Sequence, residues 1–224
     1  MTPAQLLHTL QLTDSFFPVG AFAYSDGLET AAVTGRVRDA DSLGLWLDHF
    51  LKSVFVTCDG LALLKCMRAA ETENWSVIRS IDQELTALKP AAATRASSRS
   101  IGRRLLATCG ASGGGKVPAI AGTLPQCNAA TAYALVFSHH GVDARDAILG
   151  YGYARLAGMI SAALRLISLG QQQGQALLTK ALADLPDAAD EILRMEDEPL
   201  RSFSPLLDVQ QMNHRYVYSR LFRS

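Results

Sequence analysis

Asp41-Ser-Leu-Gly-Leu-Trp-Leu-Asp-His-Phe-Leu-Lys-Ser-Val-Phe55 is the stretch that decides the fold. Leu43, Leu47, Phe50, Leu51, Val54 and Phe55 recur at steps of three and four, which places them on one face of an α-helix. Asp59-Gly60 reads as a bend or break, and residues 61–70 resume the helix. Further on, 74–88 reads as a helix ended by Lys89-Pro90, and 91–109 as one closed by Gly110. Residues 111–126, rich in Gly and Pro, read as a long loop. Helix 128–139 stops at Gly141. Asp143 caps the longest helix, which reaches Leu169 and ends at Gly170. Segments 175–185 and 187–196 form an acidic helical pair before Pro199.

Towards the N-terminus, Thr2-Pro3-Ala4-Gln5 has a capping Thr, Pro at the first helical position and Gln three residues after the cap. Leu6, Leu7 and Leu10 share one face of that helix, and a short helix over 28–33 is ended by Gly35. Gly150, Ala154, Gly158 and Ala162 form a small-residue stripe at spacing four, favouring a close core contact over a dimer seam. No repeat and no linker divides the chain. The expectation is an all-α, single-domain bundle of about eight to ten helices spanning 1–224, with 208–224 as its C-terminal tail.

With 49% hydrophobic and 19% charged residues the chain is globular rather than disordered. Its formal net charge is zero, which counts against nucleic-acid binding. The charge is nevertheless divided. No acidic residue lies between Glu84 and Asp143, a stretch holding Lys89, Arg95, Arg99, Arg103, Arg104 and Lys116, whereas acids gather over 184–198. Opposite patches suit steering towards a protein partner. Cys58, Cys66, Cys109 and Cys127 have no paired spacing and no secretory signal precedes them, so free thiols in the cytoplasm are expected. Prolines, amides and histidines interrupt the uncharged run 117–142, which argues against a membrane helix.

Gly110-Ala-Ser-Gly-Gly-Gly115-Lys116-Val117 fits the first part of a phosphate-binding loop, but Val117 stands where Ser or Thr would hold magnesium, and a helix precedes it instead of a strand. A nucleotide-dependent enzyme using this loop is the rival reading, and a nucleic-acid module on the Arg95 face is a third. His139 and His140 are adjacent and point apart on a helix, while His8, His49 and His214 lack a partner at ligand spacing, so no metal site is expected. No nucleophile signature or paired carboxylates announce catalysis. Arg95, Arg99 and Arg103 line one helix face, either solvated or facing an acidic partner.

Two stretches concentrate the remaining signals. In Asp14-Ser-Phe-Phe-Pro-Val-Gly-Ala-Phe-Ala-Tyr-Ser-Asp-Gly-Leu-Glu29, Phe17-Pro18-Val19-Gly20 has the composition of a type I turn. A helix then starts, capped by Ser25 or by Asp26 with Glu29 three residues on. Gly27 in its first turn implies that something approaches the backbone closely. Phe16, Phe17, Phe22 and Tyr24 either plug the end of a helical core or present a docking surface. In the tail, Asp208 caps a short helix running through Met212, His214 and Tyr216. Tyr218-Ser219-Arg220-Leu221-Phe222-Arg223-Ser224 follows, with hot-spot residue types that dock on a partner or back on their own core.

The first stretch resembles the signature of the urease accessory protein UreF family, roughly Leu-Pro-x-Gly-Gly-Phe-x-x-Ser-x-Gly-Leu-Glu. Pro18, Gly20, Phe22, Ser25, Gly27, Leu28 and Glu29 match it; Phe17 and Ala21 depart from it. Arg95, Ser98, Gly102, Leu105 and Leu106 match a second UreF pattern, and Arg165-Leu-Ile-Ser-Leu-Gly170-Gln171-x-x-Gly174-Gln175 a third. The ending Tyr218-x-Arg220-Leu-Phe-Arg-Ser224 is similar to the UreF terminus. The resemblance implies a dimer-forming, non-enzymatic scaffold of urease maturation. It would bind UreD (also called UreH) largely through its tail, recruit the GTPase UreG and act on apo-urease. Nickel and GTP would be handled by those partners, leaving this chain without a cofactor. The resemblance assigns Tyr218, Arg220, Leu221, Phe222 and Arg223 to tail docking. Phe22, Tyr24, Ser25, Gly27 and Glu29 would serve a partner-facing or dimer-adjacent surface, with Arg95 and Ser98 as further candidates.

Overall fold

The structure, a computed structural model, describes residues 1–111 and 124–223. It is all-α. The helices are α1 (Pro3–Thr13), α2 (Leu28–Val33), α3 (Ala40–Phe50), α4 (Gly60–Glu71), α5 (Trp75–Ala87), α6 (Ala92–Ala111), α7 (Ala129–His139), α8 (Ala144–Leu166), α9 (Gln171–Arg194) and α10 (Pro205–Asn213). Single 3₁₀ turns lie at Ala21–Ala23 and His214–Tyr216, and a π-helical segment, Leu51–Asp59, joins α3 to α4. Of the expected 111–126 loop, Ala111 belongs to α6 and residues 112–123, including the end of the Gly110–Lys116 motif, lie outside the described residues.

α4 and α7 are the centre, since residues buried all round a helix belong in the middle of a bundle. Leu61, Leu63, Leu64, Cys66 and Met67 of α4 are buried, as is every α7 residue from Ala129 to Phe137. α5 and α7 pack on α4, α6 packs on α7, and α8 and α9 close the other side. The buried apolar side chains form one cluster reaching from Leu12 to Phe222. α8 is long and apolar enough to cross a bilayer by length and composition, and half of its most apolar window is buried against the other helices.

Several local expectations are corrected. Asp59-Gly60 does not break the helix. The chain winds wider through Leu51–Asp59, Gly60 keeps right-handed helical angles, and Asp59 turns into the interior. The expected acidic pair of helices is one continuous α9 with Pro186 inside it. An interior Pro costs about 3 kcal/mol, a cost opposed by burial of Leu185, Ala188, Ala189 and Ile192 on either side of it. α9, with 24 residues, is longer than α8 with 23.

Leu6, Leu7 and Leu10 occupy the outer face of α1. Its inner face is Thr9, Leu12 and Thr13, because the two hydroxyls bond to the Gln5 and Thr9 carbonyls and leave their methyls against Gly150. The capping box at Thr2 and Gln5 forms as the sequence predicts. α10 starts at Pro205 and not at Asp208. Ser204 precedes it with its hydroxyl on His49, and Asp208 falls in the first turn. Around Pro18 the Val19 N–H donates to the Phe17 carbonyl at 2.7 Å, a tighter turn than the expected type I.

Candidate partner-docking site

Neither Ser25 nor Asp26 is the cap of α2. Gly27 takes that position with φ 90°, a left-handed angle that suits glycine. Ser25 still contributes, because its hydroxyl accepts from the Glu29 N–H at 3.3 Å. The close approach that Gly27 implies is made by α10: a Cβ on Gly27 would lie 3.2 Å from the backbone nitrogen of Gln211. Asp26 also has positive φ, 52°, and its carboxylate points inward to Arg155.

Ser25, Gly27 and Glu29 are therefore internal, which corrects their expected placement on an outward-facing surface. Glu29 is 2% exposed, and its carboxylate binds the C-terminal segment. Oε2 lies 2.7 Å from His214 Nε2 and accepts from the Phe222 N–H at 3.2 Å; Oε1 accepts from the Leu221 N–H at 2.5 Å. Two charge-assisted bonds to successive amides fix both the path and the rotation of the segment. Arg223 N–H reaches the Ala23 carbonyl at 2.9 Å.

Phe222 is buried in its own chain, 4% exposed, with the Arg165 guanidinium 4.3 Å from its ring centroid. Another Arg165 nitrogen donates to the Phe22 carbonyl at 3.0 Å, so one residue ties the signature loop and the tail together. Phe222 thus cannot be read as an outward hot spot in this conformation. Tyr218, Arg220, Leu221 and Arg223 remain on the outside, with Tyr218 fully exposed. Phe22 is 69% exposed beside them, whereas Tyr24 is half-buried.

Arg95 and Ser98 also do internal jobs. Arg95 donates to the carbonyls of Lys89 and Pro90, at 2.6 and 2.8 Å, holding the turn after α5. Ser98 donates to Asn128 and accepts from the Ala129 N–H, satisfying the start of α7 from a neighbouring helix. Arg99 bonds Gln126, Arg103 is exposed, and the Arg104 guanidinium lies over Gly20 of the signature loop.

Beneath the loop lies an ion cluster that pattern reading passed over. Arg155 bridges Asp59 at 2.6 Å and Asp26 at 2.7 Å, and Lys89 reaches the other oxygen of Asp59 at 2.5 Å. The Phe50 ring lies under the Arg155 guanidinium, 4.9 Å away. Burial pushes the Asp59 carboxyl up, but Lys89 and Arg155 outweigh it and hold it down at about 2. Arg155 is raised well above its ordinary value by Asp26, Tyr151 and Asp59, against its own burial. A cavity of about 100 Å³ borders the cluster, and Asp208 and Gln211 of α10 also line it. The signal available in the sequence was Asp59 itself, a charged residue in register with the buried face of an apolar helical run.

The charged groups of this cluster are committed to one another. Ser204 Oγ lies 2.6 Å from His49 Nε2, the spacing of a nucleophile and its base, but Ser204 is wholly buried and Ser53, not a carboxylate, faces Nδ1. His140 does find a neighbour, stacking on His8 at 3.9 Å between ring centroids, with His139 edge-on at 5.2 Å. Among the described residues no three His, Cys, Asp or Glu side chains are placed to hold a metal ion. α6 continues through Gly110 to Ala111, so Gly110 does not close it as expected; residues 112–117 lie outside the described residues.

Fold and site together define an all-α scaffold whose interior charges clamp a surface loop and a C-terminal tail. The family model described as UreF matches residues 37–182. The chain is 37% identical over 220 residues to urease accessory protein UreF of Microcystis aeruginosa, covering 98% of both chains. It is 33% identical over 225 residues to urease accessory protein UreF of Geobacillus kaustophilus, across the full length of both. The corresponding protein of Pseudomonas putida is 33% identical over 219 residues, 98% of this chain and 97% of the other. The chain belongs to the UreF family.

Proposed function

We infer that this protein serves urease maturation as a non-enzymatic docking scaffold. It binds UreD (UreH), recruits the GTPase UreG and, within that assembly, acts on apo-urease in the cytoplasm. It works as a homodimer and carries no cofactor of its own, nickel and GTP being handled by the partners. The observation that carries this reading is the tail. The segment after the His214–Tyr216 turn is not helical, yet Glu29 fixes it by two backbone bonds while Tyr218, Arg220 and Leu221 stay outside. Aromatic and Arg side chains held on an ordered backbone dock at low entropic cost, as interface hot spots do.

Tyr218→Ala combined with Arg220→Ala tests the reading. Both side chains are exposed, so helical circular dichroism should match the parent while co-purification with UreD falls sharply. Full retention of UreD by a folded double variant would overturn the assignment of the tail as its docking surface.

A further inference from the structure

The tail has two seats on the body. Glu29 holds its end, and the Asp26-Gly27 corner holds α10, where Gln211 Nε2 reaches the Asp26 carbonyl at 3.5 Å and packs over Gly27. Thr94 of α6 fixes the same Gln211 from the other side, Oγ1 to Oε1 at 2.9 Å. The second seat is conformationally costly, because Asp26 is a side-chain-bearing residue in the left-handed region. The bond its carbonyl accepts from the Gln211 side chain is at the limit of hydrogen-bond distance. What holds it is the carboxylate, drawn inward by Arg155 at 2.7 Å. Arg155 is itself anchored by Asp59 and by the Phe50 ring, so it cannot follow Asp26 outward.

We propose that Arg155 is a positioning residue for partner docking: through Asp26 it sets the strained corner on which α10 sits, and so places the tail. Arg155 lies on α8, far along the chain from the tail. Its functional weight rests on the scaffold reading above; the placement of α10 does not. Glycine at position 26 would adopt the same angle without a counter-ion. The dependence on Arg155 should therefore vanish when Asp26 is glycine, a reversal that a purely core-stabilising role for Arg155 does not produce.

Amide hydrogen exchange on the full chain reads this directly. Arg155→Met should speed exchange of the α10 and 214–223 amides about tenfold relative to those of α7, which serve as the internal reference. Adding Asp26→Gly to Arg155→Met should return them towards the parent rate. Should Arg155→Met not fold, Asp26→Ala carries the test, since it leaves the Asp59–Lys89–Arg155 contacts in place yet should loosen α10, while Asp26→Gly should not. Parent-like tail exchange in Arg155→Met or Asp26→Ala would overturn the inference, whatever UreD does. A loosened tail with weakened UreD retention supports both readings. A loosened tail with unchanged UreD retention leaves Arg155 as the positioning residue and removes the tail from the UreD interface.

Discussion

Glu29 and His214 meet at 2.7 Å with their side chains 3% and 2% exposed, although 185 positions separate them in the chain. The same carboxylate accepts the amides of Leu221 and Phe222. One acidic side chain of α2 thus holds residues 214, 221 and 222 against the body.

Glu29→Gln keeps the shape but replaces one acceptor oxygen with an amide group, which faces either an N–H or the imidazole. Losing charge-assisted bonds in a buried site costs about 2 kcal/mol. Urea unfolding should show that loss, and limited proteolysis should cut the final ten residues faster than in the parent. A tail equally resistant in both proteins would mean that the Glu29 contacts do not hold it.

Leu221 and Phe222 are neighbours with opposite fates, 61% and 4% exposed. Phe222→Ala removes a buried ring and the Arg165 contact, and should destabilise by about 3 kcal/mol unless the segment undocks to limit the loss. Leu221→Ala should change stability by less than about 0.5 kcal/mol while weakening partner retention. Equal effects of the two on unfolding would contradict a docked tail.

Asp59 makes stability pH-dependent with a definite sign. Its folded pKa of about 2 lies below the ordinary 3.8, so its contribution is complete above the ordinary value and disappears as pH falls towards the folded one. The difference amounts to about 2 kcal/mol. The stability gap between the parent and Asp59→Asn should therefore narrow as the pH is lowered through this window. A constant gap would show that the Lys89 and Arg155 pairs do not hold the carboxylate charged.

The fold was legible because helical periodicity and capping residues are local. Thr2, Asp143 and the apolar stripe of 43–55 each declared their role within a few positions. Pro186 and Asp59 misled because local rules set a cost that distant packing outweighed. The site was legible as a set of residues but not as an arrangement. Leu221 and Phe222 lie at a bend in a non-helical segment with no periodicity to read, so sequence could not divide one from the other. Nor could it show that Ser25, Gly27 and Glu29 face inward, because the tail that covers them arrives from the other end of the chain. Arg155, Asp26 and Asp59 come from three separate segments, and no spacing rule joins them.

Two helical glycines provide opposite expectations for one substitution. A Cβ on Gly102 of α6 would run into the carbonyl oxygens of Cys127 and Asn128. That backbone is pinned, because Asp82 accepts the amides of Gln126, Cys127 and Asn128 from within the core. It cannot retreat without breaking those bonds, so Gly102→Ala should cost about 3 kcal/mol. Gly158 of α8 has nothing within 4 Å of the corresponding position. There the gain in helix propensity goes unopposed, and Gly158→Ala should stabilise by about 0.5–1 kcal/mol. Thermal and urea unfolding of the two variants should bracket the parent. A destabilised Gly158→Ala would show that the small residue is needed for a surface packed there in solution, such as the contact between two copies of the chain.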